Sequence, residues 1–354
     1  MRLAQGLILK LQINETHPFR GAFFYCQILL RRNNNMMDYE SFKQRVMDEF
    51  LSYMPERYSD CKIELRKVPK VNSCLTGVVI IPKGKPRSYC SPTFYMERMY
   101  EQYLECDSFE QVMANQAVYL EESIKFLPED IMKLDFESLK EKIVFQIVNT
   151  NENQEMIKHC PHRSFMDLSV VYRVIVNVDE HGVSGFLVTN DIANAEDLSE
   201  ALLYRLAKKN TKKIFPFKSE RIEDTMMRMM RRWGVKEKDI EASFAGVDEI
   251  PMQDRVYVVS NEYEFFGANA LLYTDVLKKV VKNIGTDCYI LPSSVHDLVI
   301  LSTETFSESS KLRTLVKDTN CEHVRLSDRL SDNIYRFSIV DGSLTCVTES
   351  EAAS

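Results

Sequence analysis

A β-hairpin between residues 168 and 188 most constrains the fold of this chain. Apolar and polar residues alternate along Leu168–Val178, turn-forming residues follow at Asp179–Gly182, and Val183–Val188 returns. Alternation with a period of two is typical of a strand with one buried face, and a short turn joins only antiparallel strands. Gly182 suits a type I turn that is closed by a left-handed residue. The hairpin therefore predicts an antiparallel sheet.

Helical patterns around this hairpin indicate an α+β protein with two lobes. Asp38 can act as a helix N-cap because its carboxylate can accept backbone N–H bonds, and apolar residues then recur at helical spacing. A length of 354 residues also favours two domains of about 150 residues each. We predict two α+β lobes, 36–140 and 141–342, with mainly antiparallel or mixed sheets and flanking helices. The segment 343–354 is expected to be a flexible tail.

Within the lobes, helical spacing and short apolar runs locate most of the elements. The predicted helices besides the one after Asp38 are Pro92–Glu105, Ser108–Lys125, Ala195–Lys209, Thr225–Trp233, Ala268–Lys282 and Ser307–Asn320. The predicted strands besides the hairpin are 61–66, Val78–Ile81, Ile143–Val148, Val256–Val259, Cys288–Leu291 and Asp297–Leu301. Gly234 directly follows the fourth of these helices and suits a C-cap.

The first 35 residues differ in charge from the rest of the chain. They contain five basic residues and one acidic residue, whereas the whole chain has a net charge of −7. We favour an upstream extension outside the fold, with a start at Met36 or Met37, because a capped helix begins directly afterwards. The alternative is a hairpin, because Leu7–Ile13 alternates like a strand and Ala22–Leu30 could pair with it.

Composition excludes several classes of protein. Hydrophobic residues make up 45% and charged residues 27% of the chain, which excludes a disordered protein, a collagen-like fibre and a coiled coil. The net charge of −7 disfavours a nucleic-acid partner, and no apolar run reaches the length of a membrane helix. The nine cysteines form no Cys-x-x-Cys pair. They are interpreted as reduced thiols, which indicates a cytoplasmic protein.

Three strand ends share a polar pattern of Ser or Thr, then Asn, then an acid. The asparagines of these junctions are Asn151, Asn190 and Asn261. Such residues accept the unpaired N–H groups at helix starts, and the acid complements the positive end of the helix dipole. A functional alternative is that the junctions lie on one edge of a sheet and form a polar pocket for a small or anionic ligand. We favour the structural interpretation.

Two proline-started turns each contain a histidine and end in Asp-Leu before a strand. The first contains His162 and Asp167, and the second contains His296 and Asp297. This similarity indicates a degenerate internal repeat in the second lobe, although turn residues come from a short list and chance similarity is an alternative. The four side chains are the candidates for a binding site or for an unrecognised hydrolase-type site.

Established catalytic and metal-binding patterns are weak in this sequence. His159, Cys160 and His162 offer possible metal ligands or a thiol nucleophile, but no second Cys/His cluster completes a site. Ser294, His296 and Asp297 supply the residue types of a serine triad, yet no Gly-x-Ser-x-Gly turn occurs. We therefore assign no catalytic residue, no metal site and no cofactor.

The segment 225–233 combines four methionines with three arginines and the only tryptophan of the chain. Methionines at helical spacing are usually buried, so core packing is the favoured interpretation. If Trp233 and the arginines are exposed, they are a candidate docking patch for a partner.

Four sequence stretches carry a resemblance to a known family. They are QIVNT at 146–150, PHRSFMDLSVVY at 161–172, WGV at 233–235 and YILPSSVHD at 289–297. From Met37 to about Phe337, the chain resembles an uncharacterised domain-of-unknown-function family common in Gram-positive gut bacteria. The resemblance implies a bacterial protein that begins near Met36, and it brings no known activity or catalytic residue.

Two hypotheses about function follow. The favoured one is a non-catalytic intracellular binding or regulatory protein that presents a groove to a protein or small-molecule partner. The alternative is an enzyme with a site around His162, Asp167, His296 and Asp297, which requires these side chains to converge in an open cleft. The sequence sets neither the partner nor the oligomeric state.

Overall fold

The structure, a computed structural model, describes residues 36–84, 93–126, 136–179, 182–292 and 294–347. The predicted N-terminal extension, its hairpin alternative and the tip of the 179–182 turn lie outside these residues. The chain forms two compact units. Among the described residues, the smaller unit contains 36–70 and 74–126, and the larger unit contains 71–73 and 136–347. The lobe boundaries stated above remain a prediction.

Thirteen strands and eleven α-helices occur in the described residues. The strands are β1 (Lys62–Lys70), β2 (Ser73–Ile81), β3 (Thr93–Tyr95), β4 (Ile143–Asn149), β5 (His162–Phe165), β6 (Leu168–Asp179), β7 (Gly182–Leu187), β8 (Phe217–Arg221), β9 (Tyr257–Asn261), β10 (Cys288–Leu291), β11 (Leu298–Ser302), β12 (Ile334–Phe337) and β13 (Leu344–Val347). The helices are α1 (Tyr39–Glu49), α2 (Met96–Cys106), α3 (Phe109–Phe126), α4 (Phe136–Leu139), α5 (Gln154–Lys158), α6 (Asn190–Ala195), α7 (Glu200–Ile214), α8 (Ile222–Arg232), α9 (Glu237–Ser243), α10 (Thr274–Ile284) and α11 (Ser309–His323).

The smaller unit combines a three-stranded sheet, in the order β1-β2-β3, with helices α1 to α3. Asp38 is the N-cap of α1, and its carboxylate accepts a bond from the amide of Ser41 at 2.8 Å, as predicted. Phe42 and Val46, the buried residues of α1, belong to the core of this unit. The predicted helix is wrong at 93–95, because Thr93–Tyr95 pairs with β2 as an antiparallel strand and α2 begins only at Met96.

The larger unit contains a four-stranded antiparallel sheet built on the long strand β6. One edge of β6 pairs with β4 along 168–174, and its other edge pairs first with β5 and then with β7. The β6–β7 pairing confirms the hairpin predicted from the alternating sequence. The turn between β5 and β6 places Met166 in the left-handed region, with φ of 54°.

A six-stranded antiparallel sheet, in the order β13-β12-β10-β11-β9-β8, completes the larger unit. One hydrophobic core contains residues from both sheets, including Phe145 and Ile290. A flexible tail from Ser343 is incorrect for the next four residues, because Leu344–Val347 forms β13. This strand pairs with β12 through every residue.

Two predicted helices of the larger unit have different bounds. The predicted helix 195–209 is wrong at its start: α6 ends at Ala195, and Ser199 caps the new helix α7 by accepting a bond from the amide of Leu202. The predicted helix 268–282 divides into the 3₁₀ segment Gly267–Leu272 and helix α10. In both cases, buried apolar residues of the two segments belong to the same core.

Side chains cover the outer edge of β4, which would otherwise expose unpaired backbone groups. Asn269 accepts a hydrogen bond from the amide of Ile147 (3.1 Å) and donates one to the carbonyl of Phe145 (2.6 Å). Thr211 accepts a hydrogen bond from the amide of Phe145 at 2.9 Å. The amide side chain of Asn269 thus takes the place of a peptide group in a neighbouring strand.

These elements confirm the α+β fold class with mainly antiparallel sheets. Among the helices that the structure describes, none combines the length and the apolar character needed to cross a membrane.

Candidate functional site

A polar recess in the larger unit is the candidate functional site. The recess is lined by Lys218, Glu220, Thr225, Arg228, Val258, Ser260, Glu264 and Asp297. Its wall thus contains two basic and three acidic side chains. The enclosed volume is about 10 Å³, which is room for about one water molecule.

Strand alternation and helix periodicity bring these side chains together. Lys218 and Glu220 are two residues apart in β8 and therefore project from the same face of the sheet. Their cross-strand partners in β9 also line the recess. Thr225 and Arg228 are three residues apart in α8 and share one helix face. The hydroxyl of Thr225 donates to Glu220 at 2.8 Å, which connects the helix to the strand.

Arg228 forms the central ion pairs of the recess. Its guanidinium donates to Glu220 and, at 2.5 Å, to Glu264. Burial raises the pKa of Glu264, but the hydrogen bond and charge of Arg228 outweigh burial, so the pKa of Glu264 is lowered. Burial likewise lowers the pKa of Arg228, and the two carboxylates outweigh it, so this pKa is raised. Both groups are therefore held in their charged forms.

Unused donors remain in the recess beside these ion pairs. Lys218 is half-buried and makes no hydrogen bond or ion pair with any residue in the described part of the chain. The Nε atom of Arg228 is buried and has no hydrogen-bond partner among the same residues. Asp297 is buried and accepts a hydrogen bond from the hydroxyl of Ser294 at 3.0 Å. The recess can thus offer N–H donors to a further group.

The loop between β9 and the following 3₁₀ segment contributes Glu264 to the recess. Glu264 and Phe266 both lie in the left-handed region, with φ of 56° and 55°, which is costly for residues other than glycine. Asn261 fixes the loop: its side chain donates to the carbonyl of Phe265 at 2.5 Å and accepts from the amide of Tyr263 at 3.0 Å. The predicted candidate Asn261 therefore lies beside the recess and shapes its loop.

His296 packs against the same loop. Its ring contacts those of Phe265 and Phe266, with centroid distances of 5.4 and 6.5 Å, and its Nε2 lies 3.7 Å from a carboxylate oxygen of Asp328. The backbone carbonyl of His296 accepts a hydrogen bond from Ser260, a residue of the recess wall. Three predicted candidates, Asn261, His296 and Asp297, are thus brought together in one region.

The other acid and histidine of the predicted set lie elsewhere in the larger unit. Asp167 accepts hydrogen bonds from Ser331 (2.5 Å), Asn333 (3.0 Å) and Tyr335 (2.7 Å), which anchor the β5–β6 turn. His162 is exposed at the start of β5, opposite Val171.

The distance between His162 and Asp167 follows from strand geometry. The two ends of β5, His162 and Phe165, are three residue steps apart, which at the usual rise corresponds to roughly 10 Å, and Asp167 lies beyond the second end, in the turn. None of the described contacts of His162 or Asp167 reaches His296 or Asp297.

The remaining predicted asparagines lie on the surface. Asn151 is exposed in the turn after β4, and its neighbours Asn149 and Asn153 make the hydrogen bonds of that turn. Asn190 is exposed and donates to the carbonyl of Lys158 at 3.0 Å. At Asn151, the polar pattern therefore marked a hydrogen-bonded turn, but the residues that make the bonds, Asn149 and Asn153, lie two positions away from Asn151.

Asn153 also holds a buried contact within the larger unit. Its side chain accepts from the amide of Asn72 at 2.7 Å and donates to the side chain of Asn72 at 2.6 Å. Asn72 has φ of 56°, a conformation that asparagine tolerates better than most residues. Neither residue was among the predicted candidates.

The sequence offered Cys160 as a possible thiol nucleophile and the residues around it as possible metal ligands. Burial raises the pKa of Cys160 to about 11, which opposes formation of a thiolate nucleophile. In the described residues, no group of three or more His, Cys, Asp or Glu side chains could hold a metal ion.

The methionine-rich segment forms α8, and only part of it is buried. Met229 is buried, whereas its three neighbouring methionines are partly exposed. Trp233 is 63% exposed just after the helix. Among the charged recess residues, the sequence did not indicate Lys218, Glu220 and Glu264, and it indicated Arg228, in this same helix, only as part of a candidate docking patch.

The fold and the recess together define an α+β protein of two units with a charged recess in the larger one. A family model described as a family of unknown function, DUF5688, matches residues 39–338, and the chain belongs to this family. The resemblance to a family of unknown function that the sequence motifs indicated is thereby confirmed. No significant match was found among curated proteins or solved structures.

Proposed function

We propose that the protein is a non-catalytic binding or regulatory protein of the cytoplasm, and that the polar recess holds a small-molecule partner. The observation that carries this proposal is the fixed charge of the recess. Glu264 and Arg228 have pKa values displaced away from neutrality, in opposite directions. A general acid or base works best with a pKa near the working pH, whereas a binding site needs groups that keep their charge.

The unused donors support binding as well. A half-buried ammonium group and a buried guanidinium N–H without a partner are costly unless a ligand or water accepts their hydrogen bonds. The hydrolase-type alternative needs His162, Asp167, His296 and Asp297 in one cleft, and the known contacts of the first two lead to other parts of the unit. Cytoplasmic location is supported by the seven described cysteines, which are all free thiols.

The test is binding without turnover, measured on the full chain. A library of small metabolites is screened by thermal unfolding, and each ligand found is recovered and weighed by mass spectrometry. A ligand at 100 times its Kd adds about 2.7 kcal/mol of stability, which corresponds to an increase in Tm of about 5–11 °C for a unit of this size.

We expect at least one ligand to raise Tm and to return chemically unchanged. If the ligand is consumed, and if His162→Ala or His296→Ala abolishes this consumption, the result would support the enzyme alternative instead. No stabilising ligand in the library would contradict the proposal.

A further inference from the structure

We infer that the recess binds the carboxylate group of a small organic acid, and that Glu264 occupies this position when the ligand is absent. The inference rests on the proposed binding function and gives its ligand a chemical class. It follows from the unused donors of the recess, from the geometry of Glu264 and from the charge balance of the wall.

The donors of the recess fit a carboxylate. Lys218 supplies an ammonium group with three N–H donors, and Arg228 supplies its unpartnered Nε–H. A carboxylate has two oxygens that accept several hydrogen bonds, and bonds to charged donors are the stronger kind. The unused capacity of these two residues is therefore complementary to an acid.

Glu264 already shows how a carboxylate fits here. Its side chain is 21% exposed and accepts hydrogen bonds from Arg228 at 2.5 Å and from Arg232 at 3.4 Å. Its backbone is left-handed, which a glutamate adopts only at a cost. Rotation of this side chain would move the carboxylate out to solvent.

The ends of the loop are fixed, so the movement is confined to the residues between them. Asn261 is fully buried at one end. At the other end, a side chain on Gly267 would clash with the carbonyl oxygen of His296, so the backbone approaches very closely there. Within the loop, Asn261 holds the amide of Tyr263 and the carbonyl of Phe265, so the side chain of Glu264 is the part that can move.

Charge and space both require that the ligand replace Glu264 rather than join it. The wall carries two positive and three negative side chains, so an added anion would increase an existing excess of negative charge. Exchange of one carboxylate for another leaves this balance unchanged. The cavity of about 10 Å³ admits about one water, and departure of the Glu264 carboxylate provides the additional space.

The test is calorimetric titration of the full chain with sodium propionate, against sodium chloride at equal ionic strength. We expect saturable binding of propionate. Lys218→Met keeps the apolar stem but removes the ammonium group, and it should weaken binding at least tenfold. Glu264→Gln removes the charge of the internal competitor, and it should strengthen binding at least threefold, because a neutral amide holds Arg228 less strongly.

The matched control is Glu237→Gln, which makes the same change in another arginine–glutamate pair. Glu237 accepts from Arg231 at the surface, outside the recess. Its propionate affinity should stay within twofold of the unmodified chain. Circular dichroism of each variant establishes that it is folded before titration.

Three results would overturn the inference. The first is that propionate shows no saturable binding to the unmodified chain or to Glu264→Gln. The second is that Glu264→Gln and Glu237→Gln bind propionate with the same affinity. The third is that inorganic phosphate binds the unmodified chain as tightly as propionate does. If the metabolite screen finds an unconsumed ligand while propionate does not bind, the carboxylate inference fails and the proposed function stands. If neither experiment detects a ligand, both fail.

Discussion

The substitution Asn269→Leu tests whether a single side chain closes the edge of β4. Asn269 is completely buried, and its amide bonds to the amide of Ile147 and to the carbonyl of Phe145. Leucine is similar in size to asparagine but has no polar atom. The substitution therefore leaves two buried backbone groups without partners while changing the packing volume little.

The loss of folding free energy can be calculated from these two backbone groups. A buried backbone group that loses its hydrogen-bond partner costs about 1–3 kcal/mol, so two groups cost about 2–6 kcal/mol. The additional apolar surface of leucine recovers about 1–2 kcal/mol. A net loss of about 1–4 kcal/mol is expected, which is a substantial part of the about 5–15 kcal/mol that stabilises a typical protein.

Hydrogen exchange locates this effect better than global unfolding. The amide of Ile147 should exchange about 5 to 700 times faster in the variant, since 1.4 kcal/mol corresponds to a factor of ten. Urea unfolding should show a lower midpoint as well.

The control for this substitution is Asn190→Leu, which removes an exposed asparagine with one hydrogen bond to the carbonyl of Lys158. It should cost less than about 1 kcal/mol. If Asn269→Leu costs no more than this control, or if Ile147 exchanges at its original rate, then the side chain does not replace a neighbouring strand.

Two further predictions concern titratable groups. Burial raises the pKa of Glu200, but its hydrogen bonds with Arg163 and Tyr172 outweigh burial, so the pKa is lowered from its ordinary value of 4.5. The stabilising contribution of ionised Glu200 is present above pH 4.5 and is lost as the pH falls through the lower pKa of the folded state. The difference in unfolding free energy between the unmodified chain and Glu200→Gln should therefore shrink below pH 4.5 in acid unfolding experiments. A difference that stays constant with pH would contradict this prediction. Burial raises the pKa of Cys160 to about 11 and that of Cys288 to about 12. Iodoacetamide at pH 8 should therefore label both thiols only after unfolding. Labelling of either cysteine in the folded protein, seen in peptide maps, would refute this prediction.

Local sequence signals predicted the elements whose partners are near in the chain. The N-cap at Asp38 and the β6–β7 hairpin depend on residues within a few positions of one another, and both are present. Strands β3 and β13 were missed because each is three or four residues long and forms only by pairing with a strand elsewhere. A run of so few residues carries too little periodicity to indicate a strand.

The candidate site shows the same division. The sequence indicated Asn261, His296 and Asp297 because each follows or precedes a strand in a recognisable polar turn. It did not indicate Glu264, and it indicated Arg228 only as part of a candidate docking patch, because their ion pair joins residues 36 positions apart. Charged residues on a strand or helix are most often solvated, and only the three-dimensional structure places these two in one recess.

Satisfied and unsatisfied polar groups separate architecture from binding in this protein. Asn269 and Asn261 each use both ends of the side-chain amide on backbone groups, so neither keeps the means to hold a ligand. Lys218 is half-buried and makes no such bond with the described residues. Because the ammonium group makes no hydrogen bond with the described residues, a methionine at 218 should change the stability of the unliganded chain by less than about 1 kcal/mol while it weakens carboxylate binding. A larger loss of stability in Lys218→Met without ligand would mean that the ammonium group serves the fold instead.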